Sequence, residues 1–283
     1  MSNFLAVARM IKIEHSVFAL PFAYIGMFLG AGGWPGLWKF LALTAAVAAM
    51  RSYAMTYNRL ADLQYDRINP RTKNRPLVTG EITLVQARRF CIGAAVVFVA
   101  ACALLNSLCF FLSPIPLAVA AFYSYSKRFT WLCHFILGSV LGIAPLAGWL
   151  GVDPSALTSQ AALLFFGVTF WVAGFDILYA CLDVEFDRDQ GLHSIPARFG
   201  IKSALFLSSF CHVNTCLFFL LAGLGAGLNW IYYVVWALVS AVLAYEHRLV
   251  SAEDLSRVNL AFFTLNGFVS IALFVGVLLA LFV

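Results

Sequence analysis

The sequence predicts an all-α, polytopic membrane protein with about nine transmembrane helices. Three observations carry that prediction. Charged residues make up only 11% of the 283-residue chain and hydrophobic ones 63%, at a mean hydropathy of +0.90; a soluble domain carries ~25% charged residues. Apolar runs recur at 15–33, 38–57, 90–112, 114–122, 132–150, 161–182, 203–224, 228–245 and 258–283, most of them close to the ~20 residues that span a bilayer. An open sheet edge in lipid would leave backbone groups unsatisfied, and runs this long do not suit barrel strands, so helices remain.

The opening MSNFLAVARMIKIEHS is amphipathic and basic and lacks a small-residue cleavage site, so no removable signal peptide is expected. The third and fourth runs share a break at LSPIP, Leu112 to Pro116, where two prolines predict a turn or kink between separate helices. Of the 18 Lys and Arg, only Lys39 falls in an odd-numbered connection and Arg51 inside the second helix, while of the 13 acidic residues only Asp153 lies in an opposite-side loop. The positive-inside rule puts the other, polar face in the cytoplasm. The net charge of +5 is therefore a local basic rim. No run interleaves basic and aromatic residues in the manner of a nucleic-acid surface, so no nucleic-acid partner is expected. The seven cysteines contain no C-x-x-C and the five histidines no H-x-x-x-H. Neither a disulfide framework nor a zinc or haem site is predicted, and most cysteines fall mid-helix as small apolar residues.

Against this apolar background, the stretch NRLADLQYD at the end of the second helix stands out. Positions i, i+4 and i+8 drift by only about 40° per step, so Asn58, Asp62 and Asp66 form one polar stripe. A second stripe, Asp176, Asp183 and Asp187, closes the sixth helix in DILYACLDVEFD. Asp62 to Asp183 and Asp66 to Asp187 are each 121 positions apart, and each stripe is followed by a similar loop, NPRTKNRPLVTG ending at Gly80 and DQGLHSIPARFG ending at Gly200. This grammar predicts one domain over 1–283 built from two pseudo-repeated halves, roughly 1–127 and 128–283. Ionisable residues this close to lipid mark a functional site. Aspartates facing one another repel unless cations sit between them, and oxygen-rich clusters suit Mg²⁺, which keeps substrate phosphate in its shell. With Arg67, Arg71, Lys73, Arg75, Lys127, Arg128, Arg188, Arg198 and Lys202 in the nearby loops, the pattern describes a receptor for a phosphorylated lipid. A metal-bound diphosphate becomes a leaving group, and the 27 Phe suit a cavity that tolerates an allylic cation on its π-faces.

At these residues the chain resembles the UbiA superfamily of intramembrane prenyltransferases, whose signatures are N-D-x-x-D-x-x-x-D on helix two and D-x-x-x-D on helix six. They correspond here to Asn58 through Asp66 and to Asp183 through Asp187, with RTKNRPL resembling the loop after the first motif and YSYSKR supplying a Y-x-x-x-K as Tyr123 and Lys127. The resemblance runs the length of the chain. It implies nine helices around a central cavity, and Mg²⁺-diphosphate bound by Asn58, Asp62, Asp66, Asp183 and Asp187, the four aspartates being the catalytic set. It further implies that Tyr123 and Lys127 contact the diphosphate; from the basic residues around the motifs, Arg59, Arg67 and Lys73 are further candidates for binding it. Arg59 departs from the pattern, standing where many relatives carry Asp. It either reaches the diphosphate or pairs with an acid, which leaves the metal count open.

The form of the motifs resembles the bacterial 4-hydroxybenzoate polyprenyltransferase-like branch. That branch implies a multi-pass protein of the bacterial inner membrane, embedded in membrane lipid, with its site facing the cytoplasm. It transfers a polyprenyl group from polyprenyl diphosphate to a hydroxylated aromatic acid in ubiquinone synthesis, or to a dihydroxynaphthoate in menaquinone synthesis. The acid needs a cationic anchor. Arg9, Lys12 and Arg128 are candidates, Arg128 being favoured by family analogy. Arg51 and Asp176 either pair with each other or bind the acceptor, and Glu14 and His15 are further acceptor candidates. Asp183 either holds metal or takes the ring proton. A transporter of an anionic lipid or metabolite would share the repeat and the intramembrane charges. It would also show broken Gly/Pro helices at matching mid-membrane positions, and none is evident. The D-G-x-x-A-R of CDP-alcohol phosphotransferases is missing as well.

Overall fold

A computed structural model describes residues 3–12, 18–155 and 157–283; Glu14 and His15 lie outside the described residues. The chain is helical: α1 (Asn3–Ile11), α2 (Leu20–Ala31), α3 (Leu37–Ala61), the short α4 (Leu63–Asp66) and α5 (Pro76–Thr79), α6 (Leu84–Leu105), α7 (Ser107–Leu112), α8 (Pro114–Ser126), α9 (Cys133–Val152), α10 (Ser159–Ala180), the short α11 (Val184–Asp189) and α12 (Ile195–Phe199), α13 (Ile201–Gly225), α14 (Trp230–Leu249), and α15 (Val258–Leu260) running through a π-helical turn (Ala261–Leu265) into α16 (Asn266–Phe282). Setting aside the nine-residue α1 and the short α4, α5, α11 and α12, and taking α7–α8 and α15–α16 each as one rod, nine rods are present among the described residues. Six of them are long and apolar enough to cross a membrane. Of the others, α2 is short and α3 carries Lys39, Arg51 and Arg59 along its length.

α10 packs between α9 and α13, α13 leads to α14, α14 to α16, α16 back to α2, and α2 to α9, which closes a ring. α3 docks on α2, α6 and α8, and α8 on α9. Glycine lets the backbones approach along this ring. Gly26 of α2 faces Pro145 of α9 and Gly148 of α9 faces Ala23 of α2, so closely that a Cβ on either would collide with the opposite carbonyl. Close approach through small residues is how helices associate where lipid removes the hydrophobic drive.

One expected boundary moves. The break between the third and fourth rods falls at Asn106, not at LSPIP. Asn106 is fully extended (φ −172°, ψ 171°), its side chain accepts from the Cys109 N–H, and its amide donates to the Leu150 carbonyl at 2.7 Å. Pro114 instead takes the first position of α8, where a missing N–H costs nothing, so 107–126 forms a nearly continuous span.

The two acidic motifs are built alike. α3 ends at Asp62 (φ −91°, ψ 4°) and a short helix resumes after it; the 3₁₀ turn that follows α10 ends at Asp183 (φ −111°, ψ 10°), after which α11 begins. Each following loop contains a short helix with Pro76 or Pro196 in its first turn and ends on a glycine of positive φ, Gly80 at 82° and Gly200 at 83°. Because Asp62 N–H still bonds Asn58 O and Asp66 N–H bonds Asp62 O, both at 2.9 Å, the first stripe survives the break in its helix.

Gly148→Val should force α2 and α9 apart. Overpacking of this kind costs about 1–3 kcal/mol, and a melting temperature in detergent lowered by several degrees, with Gly151→Val nearly neutral, is the expected outcome.

Candidate active site

The ends of α3, α8 and α10 and the loops beyond them surround one cavity of about 250 Å³. Asn58, Arg59, Asp62, Asp66, Tyr123, Lys127, Arg128, Asp176, Asp183 and Asp187 all line it, so the two acidic stripes meet in one place. They do not meet bare. Asp66 accepts from the Arg75 guanidinium through both oxygens at 2.6 Å, and Asp183 pairs with Arg71, whose Nε donates at 2.9 Å. Lys127 Nζ lies 3.7 Å from Asp187 Oδ1 and Arg128 4.0 Å from Asp62 Oδ1. Asn58 donates to Asp62 at 2.9 Å and, at 3.4 Å, accepts from the buried Arg59. Among the described residues no three acidic, His or Cys side chains converge on a single ion-sized point. One acidic oxygen nonetheless stays open: Asp187 Oδ2 is buried with no hydrogen-bond partner.

Burial pushes the Asp62 carboxyl up from its ordinary 3.8, against the pull of Lys127. Burial also works against the Lys127 ammonium, but Asp187, Asp62 and Asp183 outweigh it and hold its pKa above 10.5. Lys127 is therefore a cation throughout the physiological range.

Several expected residues lie elsewhere. Arg67 and Lys73 are exposed and do not line the cavity; Arg71 and Arg75 turn inward in their place. Arg67 follows the buried Asp66 directly, about 100° round a helical turn, and Lys73 is two positions from both inward arginines. Arg9 sits on the exposed face of α1, where it pairs with Glu81 at 2.5 Å. Asp176 does line the cavity, but its partner is His134, Nδ1 to Oδ2 at 2.7 Å, while Arg51 donates to the Lys12 carbonyl at 3.3 Å. The Ile195 N–H donates to His134 Nε2, so the proton is on Nδ1 and His134 is the donor to Asp176. No spacing in the sequence pairs His134 with Asp176, because they sit on neighbouring helices 42 positions apart.

Behind the polar cavity lies an apolar one of about 340 Å³ between α3, α6, α8 and α9. The two share Arg51 and Leu141 in their walls.

The model of the UbiA prenyltransferase family matches residues 19–282. The chain belongs to that family. It is accordingly a prenyltransferase and a multi-pass membrane protein. Among relatives of the family, the 4-hydroxybenzoate octaprenyltransferase of Salmonella paratyphi B (strain ATCC BAA-1250 / SPB7) is 27% identical over 278 residues, 97% of this chain and 95% of that protein. The apo structure of a UbiA homolog from Aeropyrum pernix K1 is 36% identical, with a TM-score of 0.86 over 94% of this chain and 98% of the other. A UbiA homolog from Archaeoglobus fulgidus, solved bound to GPP and Mg²⁺, shares the fold at 22% identity and a TM-score of 0.76, over 98% of this chain and all of the other.

Burial that disfavours an ionised Asp62 has a defined sign. The folded state prefers the protonated form, so that preference stabilises the protein at low pH and is lost as the pH rises through the raised pKa. Asp62→Asn should therefore melt at a higher temperature than the parent at pH 7.5, the gap closing as the pH falls toward 4, in thermal melts without added metal.

Proposed function

We propose that this prenyltransferase moves a polyprenyl group from polyprenyl diphosphate to a hydroxylated aromatic acid of the 4-hydroxybenzoate type, with Mg²⁺ as cofactor, in quinone biosynthesis. The observation that carries the reading is the single cavity faced by both aspartate pairs, ringed by Arg71, Arg75, Lys127 and Arg128. The donor set suits a hard divalent ion: only oxygen ligands, one of them the unpaired Asp187 Oδ2. Asn58, Asp62, Asp66, Asp183 and Asp187 would hold Mg²⁺, which when bound draws charge off the diphosphate and makes it a leaving group. The names of the Salmonella relative and of the Archaeoglobus structure with GPP and Mg²⁺ support both halves of this assignment.

The chain's own residues divide the remaining work. Lys127, Tyr123, Arg59, Arg71 and Arg75 bind the diphosphate and take up the charge that accumulates on it as the C–O bond breaks. The apolar cavity behind Arg51 receives the isoprenoid tail, whose length it limits. Asp176, oriented by His134 and about 10 Å along the helix from Asp183, stands at the acceptor end, with Arg128 as the anchor for the carboxylate. The matched breaks at Asp62 and Asp183 support two repeated halves, each supplying one aspartate pair. The Lys and Arg asymmetry supports a bacterial inner membrane orientation with this mouth toward the cytoplasm.

Membranes containing the protein, given labelled geranyl or longer prenyl diphosphate, Mg²⁺ and 4-hydroxybenzoate, should yield prenylated acid, and Asp183→Ala should yield none. Product formed only with a dihydroxynaphthoate would move the acceptor assignment; none with either acid would overturn it. Ala144→Phe, which narrows the apolar cavity, should lower kcat/KM about tenfold for long donors and leave geranyl diphosphate within about twofold, since one apolar contact group discriminates by roughly 10–200-fold.

A further inference from the structure

Away from the cavity, α10, α14 and α16 bury a chain of polar side chains that the reaction above does not use. Trp171 Nε1 donates to Asn266 Oδ1 at 2.6 Å, and Asn266 Nδ2 donates both to Glu246 Oε1 at 3.1 Å and to the Ala261 carbonyl at 3.0 Å. Trp171, Glu246 and Asn266 are all fully buried. As a mere brace the arrangement is poor, because Glu246 Oε2 has no hydrogen-bond partner, His212 Nδ1 standing 3.9 Å away. A buried polar atom left unpaired calls for an explanation other than stability.

The explanation lies in what Asn266 grips. Ala261 opens the π-helical turn, the only one among the described residues. A π-turn holds one residue more than an α-turn, and such turns cluster at functional sites. If the turn relaxed to α-helix, every side chain before it would rotate by about 100° against α16. Phe262, in that turn, lines the catalytic cavity. Its ring stacks on Tyr179 with centroids 4.2 Å apart, and Arg71 lies against Tyr179, 4.7 Å from the ring centre. Arg71 in turn pairs with Asp183. A continuous packed path thus leads from Asn266 to the guanidinium at the mouth of the site.

We propose that Asn266 and Glu246 are positioning residues: by holding the π-turn they keep Phe262 against Tyr179, and so keep Arg71 aimed at the diphosphate. The inference rests on the prenyl diphosphate reading above, and its test is chosen to fail separately from that reading. Binding of geranyl diphosphate with Mg²⁺ to the purified, detergent-solubilised protein is measured by titration calorimetry, without acceptor, alongside the melting temperature. Asn266→Ala, Glu246→Leu and Phe262→Ala should each weaken binding about tenfold. Glu246→Gln, whose amide oxygen still accepts from Asn266, should stay within about twofold. On an Arg71→Ala background, Asn266→Ala should add almost nothing, because residues acting through one another are not additive. Parent-like affinity in Asn266→Ala would overturn the inference. So would a full further tenfold loss on the Arg71→Ala background, or Glu246→Gln as weak as Glu246→Leu. If Asn266→Ala does not fold, the contrast between Glu246→Gln and Glu246→Leu decides. Failure of the parent itself to bind geranyl diphosphate would instead strike the functional reading.

Discussion

The four carboxylates of the two aspartate pairs, gathered around one cavity at the edge of an apolar helix ring, repel one another, and that repulsion shapes the site. Two like charges about 4 Å apart repel by about 4 kcal/mol at an effective dielectric of about 20. The chain answers with a cation for each: Arg128 for Asp62, Arg75 for Asp66, Arg71 for Asp183 and Lys127 for Asp187. Three of these pairs join segments far apart in the chain, Arg128 at the end of α8 reaching Asp62 at the end of α3. Asp183 at the end of α10 is held by the loop after α4, and Asp187 by the end of α8, where the Lys127 carbonyl also accepts from the His193 N–H at 2.6 Å. Neutralising the acids therefore also fixes the loops to one another.

The same pairs specify what the site must do when it binds. On the proposed reading, a divalent ion would reach Asp66 or Asp183 only if Arg75 or Arg71 gave way, and the freed guanidinium would then face the accompanying anion. Arginine suits this exchange because its planar fork matches carboxylate and phosphate alike. The Tyr179 ring beneath Arg71 supports the guanidinium face and leaves the N–H edge free to change partners. Asp187 Oδ2, unpaired already, is the oxygen that needs no such exchange.

Much of this was legible in the sequence, and the remainder was hidden for physical reasons. Helices announce themselves through apolar length, and the aspartate stripes through i+4 spacing, so Asn58, Asp62, Asp66, Asp183 and Asp187 were placed together from spacing and family resemblance. Loop residues have no such period. Nothing in RINPRTKNRP distinguishes the inward Arg71 and Arg75 from the outward Arg67 and Lys73 before the turn bonds of Asn69 and Thr72 are formed. Proline drew the predicted helix break to Leu112–Pro116, whereas a single extended asparagine, anchored to the Leu150 carbonyl of α9, makes it at Asn106. The His134–Asp176 pair and the Trp171–Asn266–Glu246 chain depend on which faces of separate helices meet, which only packing determines. The G-x-x-x-G steps Gly26–Gly30 and Gly138–Gly142 were available as a packing signal.

Both acidic motifs also begin where a long helix ends, and this adds to their electrostatic cost. A helix C-terminus carries the equivalent of about half a negative charge, so Asp62 and Asp183 stand at the wrong pole for an anion. Proteins that bind phosphate without metal commonly use helix N-termini and their free N–H groups; at this mouth those groups are replaced by carboxylates and terminal carbonyls. These acids and helix poles oppose a bare diphosphate while the cations in the same wall attract it, and divalent ions arriving with it would tip the balance toward binding. The breaks at Asp62 and Asp183 make the pole more effective. They fall at the first aspartate of each motif, and the second aspartate beyond each break still lines the same cavity, so both pairs face one guest.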